Sequence, residues 1–550
     1  MKHALELDEA NGNKLWSDAI EKEINELLAH DTFIIKETRS DVPDGYQFIP
    51  SHMILDIKFD GRRKTRLVAG VNFTNPDEHD IYSGVVSIDS VRILLFIADL
   101  NKLLVIAADI SNAYLHGRTN EKVYTTVNYG ELTGKALIID KAQYGLKTSA
   151  ARWHEVANVL LKMKFKPSKA DMDLWMREKE GEYEYIAVYV DDLIVASRDP
   201  MSVIEEVKTI GNFQLKGVGE PEYYLGGDIE RKKRKDTGEL YTKISAKTYI
   251  TNICEKIERI FKIKLKNYHS PLEGGYHPEL DQTDLLDEEG ITNYRMLIGS
   301  LNWTVTLGRF DIMFLVVAMA RYNAMPREGH LKTCLRIFGY LKHHAKGAIL
   351  FDTTVPDMVG ERLETKYNWS QLYPDAEEKI PLDAPSPQGK PVKTWIMWDA
   401  DHAHDIETRR SVSGVLVFLN NTPIKWHSKR QHTVETSTYG SEMTSLKVAV
   451  EIAIELRYKL RMLGVRIDGP TEMIGDNRSV VMNVSKPESM LKKKSNLCSY
   501  HYCREANSCS IVTYRSITSK QNFADCFTKA LAPNVLYDLI KPWLFRNYLG

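Results

Sequence analysis

Two adjacent aspartates, Asp191 and Asp192, interrupt the apolar runs 185–190 and 193–196 in EYEYIAVYVDDLIVASRD. Like charges side by side in an otherwise buried segment repel and lose solvation, a cost that a divalent cation removes. A plain turn is the other reading, because aspartate side chains cap local backbone amides. A second set of acids lies far downstream. Asp399 closes the strand-like TWIMWDAD, Glu442 lies in the first turns of a long helical stretch, Asp476 closes TEMIGD, and Asp525 sits in FADCFTKAL. Four carboxylates that a mixed sheet can bring to one edge cannot all ionise without hard cations, and Mg²⁺ is the hard-oxygen match. Two such ions about 3.5–4 Å apart activate a water and stabilise the leaving oxygen in phosphodiester cleavage.

The elements that would position these acids can be read in order. An amphipathic helix is expected over 15–30, LWSDAIEKEINELLAH. TFIIKE, HMILDIKFD and KTRLVAGV read as short strands, with Asp60-Gly61 as a hairpin turn. VRILLFIADLNK reads as a helix and LLVIAADISNAY as a buried strand that ends in Asp109. Residues 153–164 are again helical before the paired aspartates, and this alternation predicts an α+β domain with a mostly antiparallel sheet. Residues 245–350 read as largely helical. The stretch 353–393 is polar and proline-rich without a sustained period, a linker or a long inserted loop. From 394 the chain starts afresh as three antiparallel strands, helix, strand, helix, strand, helix. The long helix there ends at Gly464, suited to a left-handed C-terminal position, and the last helix is expected from about Asn522, carrying Asp525.

Composition limits the function classes. At 550 residues the chain should hold three or four units, and 43% hydrophobic with 27% charged residues is ordinary for a soluble multidomain protein. No apolar run approaches the ~18–20 residues that span a bilayer. The first residues lack a secretory apolar core, so an intracellular protein is expected. Six cysteines with no CxxC pair argue against a disulfide framework or zinc ribbon. Cys498, His501, Cys503 and Cys509 fit no common zinc spacing, and core thiols are the better expectation. A net charge of −1 makes no global case for nucleic acid. Basic runs at 62–66, 231–235, 429–430 and 492–494 could meet phosphates, although each alone also reads as a solvated face.

Residues 396–533 resemble the ribonuclease H domain of copia-type LTR retrotransposons. DADHAHDIETRRSVSGVLVFLNNTPIKWHSKRQHTVETSTYGSE, GDNRSV and FADCFTKALAP match that family's order and spacing. The resemblance implies an α/β domain with a mixed five-stranded sheet over 394–550, and a metal-binding tetrad of Asp399, Glu442, Asp476 and Asp525. Asp401 of the DAD motif is the rival for the first place. His402 and His404 are expected as loop residues. His501 stands where the family often carries a histidine lining the substrate cleft, and Ser495 replaces a second one.

Nearly all of residues 9–350 resemble the reverse transcriptase domain of the same elements, through KTRLVAG, AADISNAYLHG and Tyr189-Val190-Asp191-Asp192. This resemblance implies a right-hand polymerase, with fingers and palm over 9–235, a mostly helical thumb or connection over 236–352, and the linker over 353–393. Asp109 and Asp191 would hold two Mg²⁺ ions, for which Mn²⁺ can substitute, with the Ile110 carbonyl as an added ligand and Asp192 in support. Lys64, Arg66, Tyr114 and Lys147 would meet the nucleotide, Tyr114 by crowding a ribose 2′-hydroxyl; Tyr114 reads equally well as a core aromatic. Gly70 departs from a family lysine, Thr148 from a glutamine, and Gly308-Arg309-Phe310-Asp311 from a TRPD-like segment. The implied function is an RNA-directed DNA polymerase with a fused ribonuclease H, acting on RNA template, DNA primer, RNA–DNA hybrid and deoxynucleoside triphosphates. Its place would be a cytoplasmic virus-like particle or the nucleus; nothing sets an oligomeric state. The alternative is a degenerate or host-retained copy that binds RNA or hybrid without catalysis, against which the retained acids argue. No gag-like zinc knuckle or integrase signature is found, so a piece of a polyprotein is expected. Asp236-Thr237-Gly238 spells the aspartic-protease triplet, but its basic flanks favour a hairpin turn.

Overall fold

Apolar residues run without alternation through 185–190 and 193–196 because the strands they form are covered on both faces. In the computed structural model, the described residues are 2–57, 61–70, 84–110, 119, 121–141, 146, 154–233, 238, 240–272, 274–362, 367–491 and 494–546. Strands β1 (Ser51–Ile57) and β2 (Arg63–Ala69) form an antiparallel hairpin, with Gly61 at φ +80° in the turn; Asp60 lies outside the described residues. Helix α1 (Ile88–Asn101) is capped by Ser87, whose side chain accepts from the Ser90 N–H, and is buried nearly all round. Next come β3 (Leu104–Ile110), β4 (Lys166–Ser168), β5 (Asp171–Lys179), β6 (Glu182–Tyr189), β7 (Asp192–Ser197), helix α2 (Pro200–Gly211) and β8 (Leu215–Gly219).

These six strands make one antiparallel sheet in the order β8-β3-β7-β6-β5-β4. Ile186, Val188, Leu193 and Val195 pack with Val203, Ile204 and Val207 of α2. Ala187, Ile194 and Ala196 point the other way, into the cluster that holds α1. A sheet buried on both faces has no use for polar alternation, which explains the continuous apolar runs. The hairpin expected around 236–238 is flanked by strands Gly227–Lys233 and Leu240–Ser245, which pair antiparallel; of the triplet, Gly238 alone is described. Helices α3 (Lys247–Phe261), α4 (Glu288–Thr306), α5 (Met313–Ala320) and α6 (Glu328–His343) fill the stretch expected to be helical.

The segment read as linker or loop carries a two-residue strand, β9 (Glu361–Arg362), and packs against both neighbours. The Tyr183 hydroxyl donates to the Ser386 carbonyl at 3.0 Å, and Glu378 accepts from Arg457 Nε and Nη2 at 2.8 Å each. Residues Gln388–Val392 pair in parallel with Val465–Ile467.

The last part contains β10 (Thr394–Asp401), β11 (Val412–Leu419), β12 (Thr422–Arg430), helix α7 (Thr438–Met462), β13 (Thr471–Gly475), β14 (Val512–Ser516) and helix α8 (Pro533–Leu544), with two further helices, Arg478–Ser485 and Leu497–Ser508, between β13 and β14. The sheet order is β9-β14-β13-β10-β11-β12, with β14, β13 and β10 parallel and the rest antiparallel. This corrects the five-stranded expectation to six: β9 is two polar residues long, too short to leave a period-2 signal. The final helix also starts later than expected. Pro533 holds its first turn and Ala532 before it is extended, at ψ 146°, as a residue preceding proline prefers. Asp525 therefore lies on a separate 3₁₀ turn, Phe523–Phe527, and not on the last helix.

The two sheets share one core. Arg92 of α1 is 4% exposed; its Nη1 donates to the Ile424 carbonyl at 3.1 Å and to Asp89 at 2.9 Å, and its guanidinium lies 4.2 Å from the Trp426 ring centroid. Burial lowers its pKa to about 10, against the pull of Asp89, so the arginine stays charged.

Candidate functional site

Parallel pairing of β10 and β13 brings the ends of both strands to one edge. The register runs Trp395↔Glu472 to Met397↔Ile474, and continued by two residues it sets Asp399 beside Asp476. Helix α7 crosses the same edge. Ser437 caps it by accepting from the Gly440 N–H, which places Glu442 near the positive end of the helix dipole. Ser445, one turn on, donates to the Asp399 carbonyl at 2.6 Å and ties helix to strand. One carboxylate oxygen from each of Asp399, Glu442 and Asp476 lies within 4.8 Å of the other two.

Gly414 faces Asp399 on β11, and a Cβ there would meet the Ala524 carbonyl at 2.7 Å. Glycine is what lets the 3₁₀ turn with Asp525 approach. Asn522 fixes that turn by donating to the Trp398 carbonyl at 3.0 Å and accepting from the Ala524 N–H at 3.2 Å. Thr528 donates to Asp399 Oδ2 at 2.7 Å, and Lys529 pairs with Asp525. Gly414, Ser445, Thr528 and Lys529 were not singled out from the sequence. The hydroxyl and amine three and four residues after Asp525 were the available signal.

Electrostatics follow from this crowding. Burial, then the charges of Asp525 and Asp476, push the Asp399 carboxyl up to about 7, with Thr528 pulling the other way. Glu442 is raised well above the carboxylate range by burial, then by Asp399 and Asp476. Its Oε2 is buried with no hydrogen-bond partner among the described residues. An orphaned carboxylate oxygen beside two others is the donor set of a hard divalent cation, and the residues present fit one. Burial opposes the charge of Lys529, but Asp525, Asp399 and Asp401 together raise its pKa.

The neighbouring candidates fall elsewhere. Asp401 accepts from His404 and lies outside the convergent group. His404 stacks on His277 at 5.1 Å and meets Phe314 edge-on at 5.2 Å; His402 Nδ1 lies 3.4 Å from Ser441 Oγ. The His404 loop is pinned by buried Asp405, which pairs with Arg321 and, at 3.2 Å, with Arg430. His501 is exposed and hydrogen-bonds to the Tyr373 hydroxyl at 2.8 Å.

The other cluster is built by a two-residue turn. Tyr189↔Asp192 closes the β6–β7 hairpin over Val190 and Asp191, and Val190 sits at φ +55°. A β-branched residue in that region costs of order 1–3 kcal/mol, a strain of the kind found at functional turns. Asp192 is registered against Asp109 on β3, and the Ile110 N–H donates to the Asp191 carbonyl at 2.8 Å. Burial, then Asp109 and Asp192, raise the Asp191 carboxyl to about 6, opposed by Arg66 and Lys64. Those two cations alternate along β2 with buried Thr65 and Leu67, so they share the face turned toward Asp191. Asp191 Oδ1 is buried without a hydrogen-bond partner among the described residues. The three acids do not gather their oxygens as closely as the downstream group. Tyr114, Lys147 and Thr148 lie outside the described residues; Gly70 donates its N–H to the Pro50 carbonyl at 2.9 Å.

Comparison with known proteins bears on both clusters. Residues 34–263 match the family model described as reverse transcriptase (RNA-dependent DNA polymerase). The chain is 26% identical over 533 residues to the retrovirus-related Pol polyprotein from transposon RE1 of Arabidopsis thaliana, covering 94% of this chain and 33% of that protein. It is 25% identical over 546 residues to the Pol polyprotein from transposon TNT 1-94 of Nicotiana tabacum, covering 94% and 37%. The chain thus spans about a third of the length of these curated relatives. Among solved structures, a foamy viral protease-reverse transcriptase in complex with double-stranded DNA aligns at 13% identity and a TM-score of 0.49, over 91% of this chain and 69% of that one. An N-terminal RNase H domain of rv2228c from Mycobacterium tuberculosis, fused to maltose-binding protein, aligns at 15% identity and a TM-score of 0.20, over 27% and 97%. The sequence similarity to copia-type retrotransposon Pol polyproteins runs through 94% of the chain.

Proposed function

We propose that this relative of copia-type Pol polyproteins is an RNA-directed DNA polymerase with a fused ribonuclease H, which copies retroelement RNA into DNA and cleaves the RNA strand of the hybrid. The observation that carries the reading is the convergence of buried Asp399 and Glu442 with Asp476, Glu442 Oε2 being without a partner. Asp399, Glu442, Asp476 and Asp525 would hold divalent metal at the downstream site, and Asp109 and Asp191 at the upstream one. Mg²⁺, or Mn²⁺ in its place, would supply activation of the attacking oxygen and stabilisation of the phosphate oxygens.

The chain's own groups set the stage for that chemistry. Thr528 orients one Asp399 oxygen by hydrogen bond, Ser445 fixes the strand that carries it, and Lys529 offsets the summed negative charge. At the upstream site Asp192 supports Asp191 from the neighbouring position. Lys64, Arg66 and Lys147 answer the charge of an incoming triphosphate, and Tyr114 selects against a ribose 2′-hydroxyl. Residues 9–235 act as fingers and palm, 236–352 as thumb or connection, and 394–550 as the nuclease. The substrates are an RNA template, a DNA primer and deoxynucleoside triphosphates, then the hybrid itself. Among the described residues no helix is long and apolar enough to cross a membrane; a virus-like particle in the cytoplasm, or the nucleus, is the proposed location.

The test is primer extension on a poly(rA) template with Mg²⁺, beside cleavage of a labelled RNA–DNA hybrid. Asp191→Asn should abolish extension and leave cleavage intact, and Asp399→Asn should do the reverse. Wild-type protein that binds hybrid but does neither would sink the proposal in favour of a non-catalytic copy.

A further inference from the structure

Three histidines lie together away from both acid clusters. His343 is the last residue of α6, His344 caps that helix, and His269 lies in the loop after α3. One ring nitrogen from each falls within 4.8 Å of the other two. The ring centroids of His343 are 4.6 Å from His269 and 4.7 Å from His344, both edge-to-face. We propose that His269, His343 and His344 form a binding site for a divalent transition-metal ion of the Zn²⁺ class, which clips the loop after α3 to the end of α6.

Four observations support a built site. First, His344 Nε2 is buried and has no hydrogen-bond partner among the described residues, although the same ring hydrogen-bonds to the backbone of His269. Metal-binding imidazoles share that division: one nitrogen held by a backbone group, the other presented to the ion. Second, two of the three rings belong to consecutive residues at the end of α6, and the Arg309 Nη1 bond to the His344 carbonyl at 2.9 Å fixes the backbone that carries them. Third, the loop is pressed onto the helix. A Cβ on Gly339 would stand 2.2 Å from the Lys266 carbonyl, and Arg336 stacks 4.6 Å over Tyr268. His269 is therefore carried on backbone that packs closely against α6. Fourth, the ion would sit at a helix C-terminus, where the unsatisfied carbonyls favour positive charge.

The nearby Arg309 is not an obstacle. Its guanidinium is neutralised by Asp311 through contacts of 3.0 and 2.7 Å, while its Nη1 donates to the His344 carbonyl at 2.9 Å and holds that residue in place. Three imidazoles select Zn²⁺, Co²⁺ or Ni²⁺ over Mg²⁺, and leave the fourth tetrahedral position to water. The site thus differs in chemistry from the all-carboxylate clusters and stands or falls independently of the proposed polymerase and nuclease.

The experiment titrates the full chain with Zn²⁺ by calorimetry, and with Co²⁺ by visible absorption, in excess Mg²⁺ so that the carboxylate sites are already engaged. His269→Gln and His343→Gln change exposed side chains, and unchanged thermal unfolding without Zn²⁺ confirms that each variant folds. One Zn²⁺ per chain should bind in the micromolar range, and each variant should weaken that binding at least about tenfold. Zn²⁺ should also raise the unfolding temperature of the wild type and not of the variants. Equal Zn²⁺ affinity in wild type and both variants, or wild-type binding weaker than about 0.1 mM, would overturn the site.

Discussion

The two acid clusters are assembled in opposite ways. Asp191 and Asp192 are neighbours in the chain, and one antiparallel partner strand adds Asp109. Asp399, Glu442, Asp476 and Asp525 come from two parallel strands, a helix and a 3₁₀ turn, and are separated by up to 126 residues. The local design leaves its acids half-buried or exposed and faces them with Lys64 and Arg66; the assembled one buries Asp399 and Glu442 with a single lysine nearby. Proton affinities follow, about 6 for Asp191 against about 7 for Asp399, with burial and the neighbouring acids raising Glu442 well above the carboxylate range. Repulsion that the upstream site meets with its own cations is left, in the downstream site, for a bound ion to cancel.

The largest expected contrast comes from neutralising one acid at each site. Glu442→Gln should reduce hybrid cleavage by about three orders of magnitude, whereas Asp192→Asn should slow primer extension only about tenfold. Equal losses would erase the distinction between an acid that completes a donor set and one that supports a neighbour.

Stability against pH sharpens it next. Asp399 has a folded pKa near 7, above the ordinary 3.8, so the metal-free folded state binds the extra proton. Its contribution to stability is fully present below about 3.8 and is lost as pH rises through about 7. Asp399→Asn should therefore stabilise the metal-free protein at pH 8 by about 1–3 kcal/mol, and Asp191→Asn by under about 1 kcal/mol because its site is wetter and carries cations. Urea unfolding at pH 5 and pH 8, with and without Mg²⁺, reads both; the gain should vanish when Mg²⁺ is present.

Thr528→Val should shift a pH profile and leave the maximal rate of either reaction nearly unchanged. Loss of a hydrogen bond to a carboxylate costs roughly 1.5–3 kcal/mol of the charged form. The pH profile of cleavage should accordingly move to higher pH while extension keeps its profile. An unmoved cleavage profile would mean that Thr528 serves the fold alone.

Much of this was legible from local pattern. Two apolar runs with a two-residue gap specify the β6–β7 hairpin, and Ser437 with Gly464 bounds α7. What escaped is non-local. No residue near Asp399 announces the parallel register that sets it beside Asp476, and β9 is too short to announce itself at all. The sequence reads as carrying Asp525 on a final helix from about Asn522, whereas Pro533 and extended Ala532 restrict that helix to the residues beyond them. Arg92 reads as one polar position in a core helix, while the carbonyl and ring it meets lie on β12, in the other sheet.

That last contact has a consequence for how the two activities would act on one nucleic acid. Arg92 and Trp426 join the sheets through packed interior. The packing between α1 and β12 would then set the separation between the clusters, and a duplex held by both would be measured by it. The molecule would work as a ruler, cutting RNA at a set distance behind the growing primer end, with its gradation fixed by the side chains between α1 and β12.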